Sequence, residues 1–329
     1  MDFEPSDDQL ALQGELRRFL ADQVTSEARR AVADLPGAVD RDLWRELAGL
    51  GTFALTVPEA AGGVGLGLAD ATLVFEELGR AAVPGPLIGT FLGAGLAAAG
   101  VDALAGAATG DVVVGLTPAG APAWVEHADA LDALVVVGDG GVTLTGPPTG
   151  GRPAARPLDP LTPVHVLDGL PAGEPVGGPE AAHRLRTAAA LLAAALQVGL
   201  AAEAVAMATA HARDRIQFGR PIGSFQAVKH LLADAQVGVE VARAAVQAAG
   251  VELDDGGDEG SPAAHRAVEG ARIVASRAAD RATRTCVQVH GGMGFTWDLD
   301  AHLLLKRAMV LDVGVGSVEA SVAALAAAL

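Results

Sequence analysis

Two short stretches hold most of the side chains able to grip a charged ligand. The first, RDRIQFGRPIGSFQAVKH at residues 213–230, places Arg215 beside a glycine turn. A guanidinium there can fork onto two phosphate oxygens, a geometry that a lysine lacks. Gly219 lets the backbone come close to a ligand. Phe218 offers an aromatic face to a purine or ribose, and the amides of Gln217 and Gln226 can bond the edge of a base. The second stretch, QVHGGMG, carries Gln288, Gly291, Gly292 and Gly294. Successive glycine N–H groups of this kind can form a nest around phosphate. Taken singly, Arg215 reads as half of a surface salt bridge and the glycines as ordinary turns. Together the two stretches can hold a phosphate-bearing ligand.

Other reactive residue types carry less. His290 and Cys286 lie close in sequence, but no further ligands stand at metal-binding spacing, so no metal is expected and both read as helix-end and core residues. Glu59, in VPEAAGGVGLG, reads as a cap or turn residue. Phe295 and Trp297 read as packing.

These stretches need rigid elements to hold them. Residues 1–110 read as a helical domain. Ser6 precedes acids in a first turn, and Leu10, Leu12, Leu16, Phe19 and Leu20 trace a helical stripe. DRDLWRELAGLG forms a second amphipathic helix that Gly51 stops. Residues 111–178 form a small β domain, since DVVVGLT, ALVVVG, GVTLTG and PVHVLDG are β-branched runs bounded by Gly, Pro and Asp. Residues 179–329 return to a helical period over 179–213, 225–250 and 263–290, with a final helix at 299–312, as a four-helix bundle. VELDDGGDEGSP is the polar loop between the second and third of these. The fold class is α+β, mostly α, with the strands inserted between two helical domains.

Bulk properties exclude several functions. The 329 residues carry a formal charge of −17, against the basic face that a nucleic acid requires. The lone cysteine excludes an internal disulfide. The acidic opening MDFEPSDDQ is unlike a secretory signal, which makes a cytoplasmic location the expectation. The apolar run at 187–210 is long enough to span a bilayer, but Gln197 and Glu203 interrupt it and alanine drives insertion weakly. A buried bundle helix is expected there, with no membrane span.

Nearly the whole chain resembles the acyl-CoA dehydrogenase family. LWRELAGLGTFALTVPEAAGGVGL is similar to the family's N-terminal helix and following glycine-rich loop. RIQFGRPIGSFQAVKHLLAD and QVHGGMGFTWDLDAHLLLKRA resemble its two cofactor-binding segments. The resemblance implies FAD as cofactor, an acyl-CoA thioester as substrate, α,β-desaturation as reaction, and an electron-transfer flavoprotein as acceptor. It assigns the ADP half of FAD to Arg215, Gln217, Phe218, Gly219, Gln226, Gln288, Gly291, Gly292 and Gly294.

The departures from the family are equally specific. Its flavin-ring strand survives only as Thr117, Pro118, Ala119 and Gly120, and its second ring-binding strand has no counterpart. Where the family carries its catalytic glutamate, this chain has Val315, which cannot accept a proton. The alternative family position falls on Ala189. Asp312 and Glu319 are the acids nearby in sequence, each also readable as an ordinary surface or helix-end residue. In family dimers one subunit's bundle holds the ADP half of a cofactor whose ring lies in the other subunit. The resemblance therefore implies the non-base partner in an α2β2 heterotetramer with a companion acyl-CoA dehydrogenase subunit. The alternatives are a homo-oligomeric enzyme with a relocated base, or a structural relic that binds no flavin.

Overall fold

The computed structural model of the chain describes residues 5–35, 39–256 and 261–328. Helices α1 (Asp7–Gln23), α2 (Ser26–Asp34), α3 (Arg41–Gly49), α4 (Leu68–Arg80) and α5 (Leu87–Ala98) come first. Strands β1 (Val114–Pro118), β2 (Ala123–Glu126), β3 (Ala133–Gly138), β4 (Gly141–Thr145), β5 (Arg152–Pro153), β6 (Val164–Leu167) and β7 (Glu174–Gly177) follow. Helix α6 (Pro179–Asp214), the hairpin β8 (Ile216–Gln217) and β9 (Arg220–Pro221), and helices α7 (Gln226–Asp255), α8 (Pro262–His290), α9 (Ala301–Val310) and α10 (Val318–Ala327) complete the chain. The order of helices, small sheets and helices matches the expected class.

Local chemistry sets the ends of these elements. Ser6 caps α1 and Gln9 bonds back to the Ser6 N–H, a reciprocal pair that satisfies two orphan donors. Leu16 and Leu20 are buried and Leu12 and Phe19 pack against the same core, whereas Leu10 is exposed. Asp40 caps α3, and Gly51 takes φ +82° just past its end. Helix α7 runs five residues beyond the expected limit of 250. Its Asp254 carboxylate accepts the N–H groups of Leu68 and Ala69 at 2.8 and 2.9 Å. It thus caps α4 from a distant part of the chain, a tertiary use that local pattern does not encode. The end of the polar loop, 257–260, lies outside the described residues.

Two sheets form the β region. One has the order β1-β3-β4-β7 and the other β2-β6-β5. β1 runs parallel to β3, while the other pairs within these two sheets are antiparallel. The four runs predicted as strands are β1, β3, β4 and β6. β2, β5 and β7 are additional, and β5 is a two-residue strand held on β6. β2 and β7 contain Trp-Val-Glu and Glu-Pro, which lack a β-branched run, and are ordered by pairing with β6 and β4.

Helix α6 is the axis of the molecule and packs against α4, α7 and α8. It is the one helix among the described residues long and apolar enough to cross a membrane, and most of its apolar window is buried inside the fold. Its close approach to α4 depends on two glycines. A Cβ on Gly199 would sit 1.9 Å from the Glu76 carbonyl oxygen, and one on Gly79 would sit 2.1 Å from that of Leu196. Backbones that meet this closely leave no room for alanine. Beside the crossing lie the buried acids Glu76 and Glu77. Arg243 bonds Glu76 at 2.9 Å and Arg17 bonds Glu77 at 2.6 Å, so neither charge is left uncompensated.

Candidate functional site

The first stretch closes α6 and turns back on itself. Arg215 caps α6 through its N–H to the His211 carbonyl, and its own carbonyl accepts the N–H of Ile222 at 2.8 Å. Between them, β8 and β9 pair, leaving Phe218 and Gly219 at the tip with φ +53° and +76°. A left-handed conformation is uncommon for phenylalanine. The turn holds this ring 90% exposed, with only Phe225 edge-on at 6.0 Å. Arg220 stacks 4.1 Å over the Phe225 ring, which anchors the hairpin base.

Arg215, Gln217, Gln226 and Gln288 are all exposed, and among the described residues their side chains make no hydrogen bond or ion pair. Gln217, Phe218 and Gln288 line one shallow groove of about 310 Å³, together with Ile222, Phe225 and Leu231. Arg215, Gln226 and the glycines of the second stretch lie outside its lining. Gly291 has φ +63°, and a Cβ on Gly219, Gly291 or Gly292 would meet no atom within 4 Å. These positions border open space rather than the protein's own core. Gly294 differs. It is buried, and its Cβ would strike the Val287 carbonyl oxygen at 2.8 Å, so packing inside the chain already demands glycine.

A free guanidinium, three free amides and glycine positions open to solvent suit a phosphate-bearing, base-bearing ligand approached from outside. The donor set therefore fits the nucleotide half of FAD. Of the ring-side residues that the resemblance names, Thr117 alone carries a side-chain hydroxyl. The Thr117 hydroxyl is buried and donates to the Trp124 carbonyl oxygen at 3.1 Å, which leaves it no free proton for a ligand.

His290 and Cys286 behave as helix-end and core residues. His290 is buried, its Nδ1 lies 2.8 Å from the Cys286 carbonyl oxygen, and its ring stacks on His211 at 4.3 Å. Burial pushes the Cys286 thiol up to about 12, so it is inert. No group of three metal-ligating side chains exists among the described residues. Glu59 opens a single 3-10 turn (Glu59–Ala61), in keeping with a turn role. The packing role expected for Phe295 and Trp297 is corrected. They are 65% and 53% exposed, with Trp297 meeting the His302 ring edge-on at 5.0 Å and Lys306 5.8 Å over its face.

The turn that would carry the base is held firmly. Arg272, in the middle of α8 and fully buried, donates to the carbonyl oxygens of Gly316 and Leu311 and to Gln197 Oε1. Burial pulls its guanidinium down to about 10, against the pull of Asp312. Gln197 in turn donates to the Ala308 carbonyl and, at 2.7 Å, to Asp312 Oδ1. Gly316 has φ +72°, and a Cβ there would lie 2.5 Å from the Ala190 amide nitrogen. The turn is thereby pressed against α6.

Val315 faces a cavity of about 80 Å³ walled by Leu78, Leu87, Leu116, Leu196 and Leu200. Asp312 and Glu319 are absent from its lining; Asp312 is tied to Gln197, and Glu319 is exposed in the first turn of α10. Ala189 is buried in α6. The one carboxylate on the wall is Glu126, at the end of β2, and the one cation is Arg307. Sequence reading missed Glu126, because the run that contains it carries no strand or motif signal.

A long central helix, a small β insert and a pair of glycine turns beside an exposed arginine define the acyl-CoA dehydrogenase architecture. The chain belongs to that family. Its residues 6–107 match the acyl-CoA dehydrogenase N-terminal domain and residues 178–329 the C-terminal domain. It is 36% identical over 318 residues to the acyl-CoA dehydrogenase IpdE2 of Mycobacterium tuberculosis, with 92% of each chain covered. Among solved structures it resembles a chain of the ChsE4-ChsE5 complex from Mycobacterium tuberculosis, at 26% identity and a TM-score of 0.85 over 99% of this chain and 98% of that one. A chain of the Tcur3481-Tcur3483 steroid acyl-CoA dehydrogenase (G363A variant) gives the same TM-score at 28% identity, over 98% of this chain and 97% of that one.

Proposed function

We propose that this chain is the non-base subunit of a FAD-dependent acyl-CoA dehydrogenase and acts with a companion subunit of the same family. The observation that carries the reading is the asymmetry of the site. The groups suited to a nucleotide tail are present, exposed and unpaired, while the ring-side threonine is engaged and the base position is Val315. Its similarity to chains of two solved two-protein complexes supports a companion.

In this reading Arg215 neutralises the pyrophosphate, Gly292 offers its backbone N–H to it, Gly291, whose own N–H closes α8 on the Gln288 carbonyl oxygen, turns the chain there, and Gln217, Gln226, Gln288 and Phe218 orient the nucleotide. FAD, when bound, supplies the hydride acceptor. The companion supplies the ring pocket and the base that removes the α-proton. The chain divides into units at 1–110, 111–178 and 179–329, and an electron-transfer flavoprotein takes the electrons. The substrate is an acyl-CoA, and the steroid description printed for one structural neighbour makes a sterol-derived acyl group the first to test.

Coexpression with a genomic-neighbour acyl-CoA dehydrogenase tests this. The two chains copurify with bound flavin, while this chain alone binds less than stoichiometric flavin and does not turn over. Full flavin loading and turnover by this chain alone would reject the proposal. Asp312→Asn and Glu319→Gln separate it from a relocated base: both leave turnover of the complex unchanged.

A further inference from the structure

Each stretch of the nucleotide site is fastened to the end of its own helix. The first returns onto the last turn of α6. There Arg215 donates its N–H to the His211 carbonyl, and a Cβ on Gly223 would meet the Ala212 carbonyl oxygen at 2.8 Å. The second folds onto the last turn of α8, where the Gly291 N–H reaches the Gln288 carbonyl and Gly294 lies against Val287. None of these contacts sets the distance from one stretch to the other. A ligand gripped by both needs that distance fixed before it arrives, because slack that must be removed on binding lowers affinity.

The two helix ends meet through a pair of imidazoles. His211, one turn ahead of Arg215 on α6, stacks on His290, the last residue of α8, with ring centroids 4.3 Å apart and planes 29° from parallel. His290 is buried, and its Nδ1 lies 2.8 Å from the Cys286 carbonyl oxygen. A carbonyl only accepts, so Nδ1 carries the proton, and the bond locks the ring against its own helix. His211 is half-buried, and among the described residues its ring makes no hydrogen bond and no ion pair. Its side chain is therefore a flat plate laid on a second plate that is already fixed.

We propose that His211 and His290 are positioning residues: their stack sets the separation and tilt between the Arg215 stretch and the Gly291–Gly292 stretch, so that a nucleotide tail meets both already aligned. Neither ring needs to touch the ligand. This role rests on the nucleotide reading of those stretches, and adds to it two residues to which the resemblance gave no part. An aromatic pair of this kind is worth about three- to tenfold in an equilibrium. Its loss should weaken the tail's binding by that factor while leaving every group that contacts the ligand in place.

The test titrates FAD and ADP separately into the deflavinated complex with the companion, by isothermal titration calorimetry. ADP reports on the tail alone. His211→Ala weakens FAD and ADP by the same factor, about three- to tenfold. His211→Phe, which keeps a flat ring against His290, restores the affinity for both. His290→Asn keeps a donor near the Cys286 carbonyl but offers no ring, and gives the same loss from the other side of the stack. Unchanged ADP affinity in both His211→Ala and His290→Asn, a loss confined to FAD, or an equal loss in His211→Phe would overturn the assignment. Arg215→Ala separates the two readings. If it loses both ligands while His211→Ala and His290→Asn lose neither, the positioning role alone is wrong. If it keeps both, the nucleotide reading fails and the positioning role falls with it.

Discussion

Arg272 Nε lies 3.0 Å from the carbonyl oxygen of Gly316, joining the buried middle of α8 to the turn where the family keeps its base. That contact fixes the turn, which in the proposed function carries no catalytic group. Arg272, Gln197 and Gly316 hold the backbone of residues 308–316 in place, while Val315 presents only methyl groups to the cavity. In the proposed function geometry and chemistry have separated: the frame for a catalytic residue persists and the residue does not.

Removing Arg272 leaves the carbonyl oxygens of Gly316, Leu311 and the Gln197 side chain without their donor and takes from Asp312 an ion-pair partner at 3.9 Å. Arg272→Ala is expected to cost roughly 3–5 kcal/mol, the range for breaking a buried charged network on one side. Arg272→Met, which refills the volume, costs less. Urea unfolding monitored by circular dichroism checks both. A loss below about 1 kcal/mol for Arg272→Ala would mean that the turn holds itself.

The crossing of α4 and α6 gives a prediction of opposite sign at two kinds of glycine. Gly199→Ala places a methyl group 1.9 Å from the Glu76 carbonyl oxygen and must force the helices apart. A loss of about 2–4 kcal/mol is expected, as for overpacking against backbone. Gly14→Ala, in α1 with nothing within 4 Å of the new atom, stabilises by up to about 1 kcal/mol through helix propensity. Thermal melts of the two variants separate the cases.

Folding stability depends on pH through His127. Its folded pKa is depressed to about 3 from an ordinary 6.5 by burial, so the unfolded chain binds a proton that the folded chain refuses. The contribution is complete above pH 6.5 and is lost as the pH falls from there toward 3. Urea midpoints should drop between pH 7 and pH 5. The drop should shrink in His127→Gln, which carries no titrating group. An equal drop in both proteins would assign the acid sensitivity elsewhere.

Much of this frame was legible in the sequence, because periodicity and capping are local. Ser6, Gly51 and the α6 and α8 periods mark elements that exist where the pattern puts them. The misses share a cause. α10 lies beyond the final helix expected at 299–312, although Ser317 caps it by accepting the Ala320 N–H. The last turn of α7 serves α4 through Asp254, which no local rule anticipates. Trp297 and Phe295 look like core by composition and lie at the surface. The residues 215–219 and 288–292 announced themselves because glycine and arginine are informative in turns. Glu126 did not, since a lone glutamate after Trp-Val means nothing until folding brings Leu116, Leu196 and Val315 around it.

The central claim is that this chain holds the nucleotide tail of a cofactor whose ring lies in a companion. The most direct measurement is the flavin content of the copurified complex with Arg215→Ala in this chain alone, read from the flavin absorbance per complex. The account predicts that the companion still copurifies and that bound flavin falls at least tenfold. Unchanged flavin content in an intact complex would contradict it.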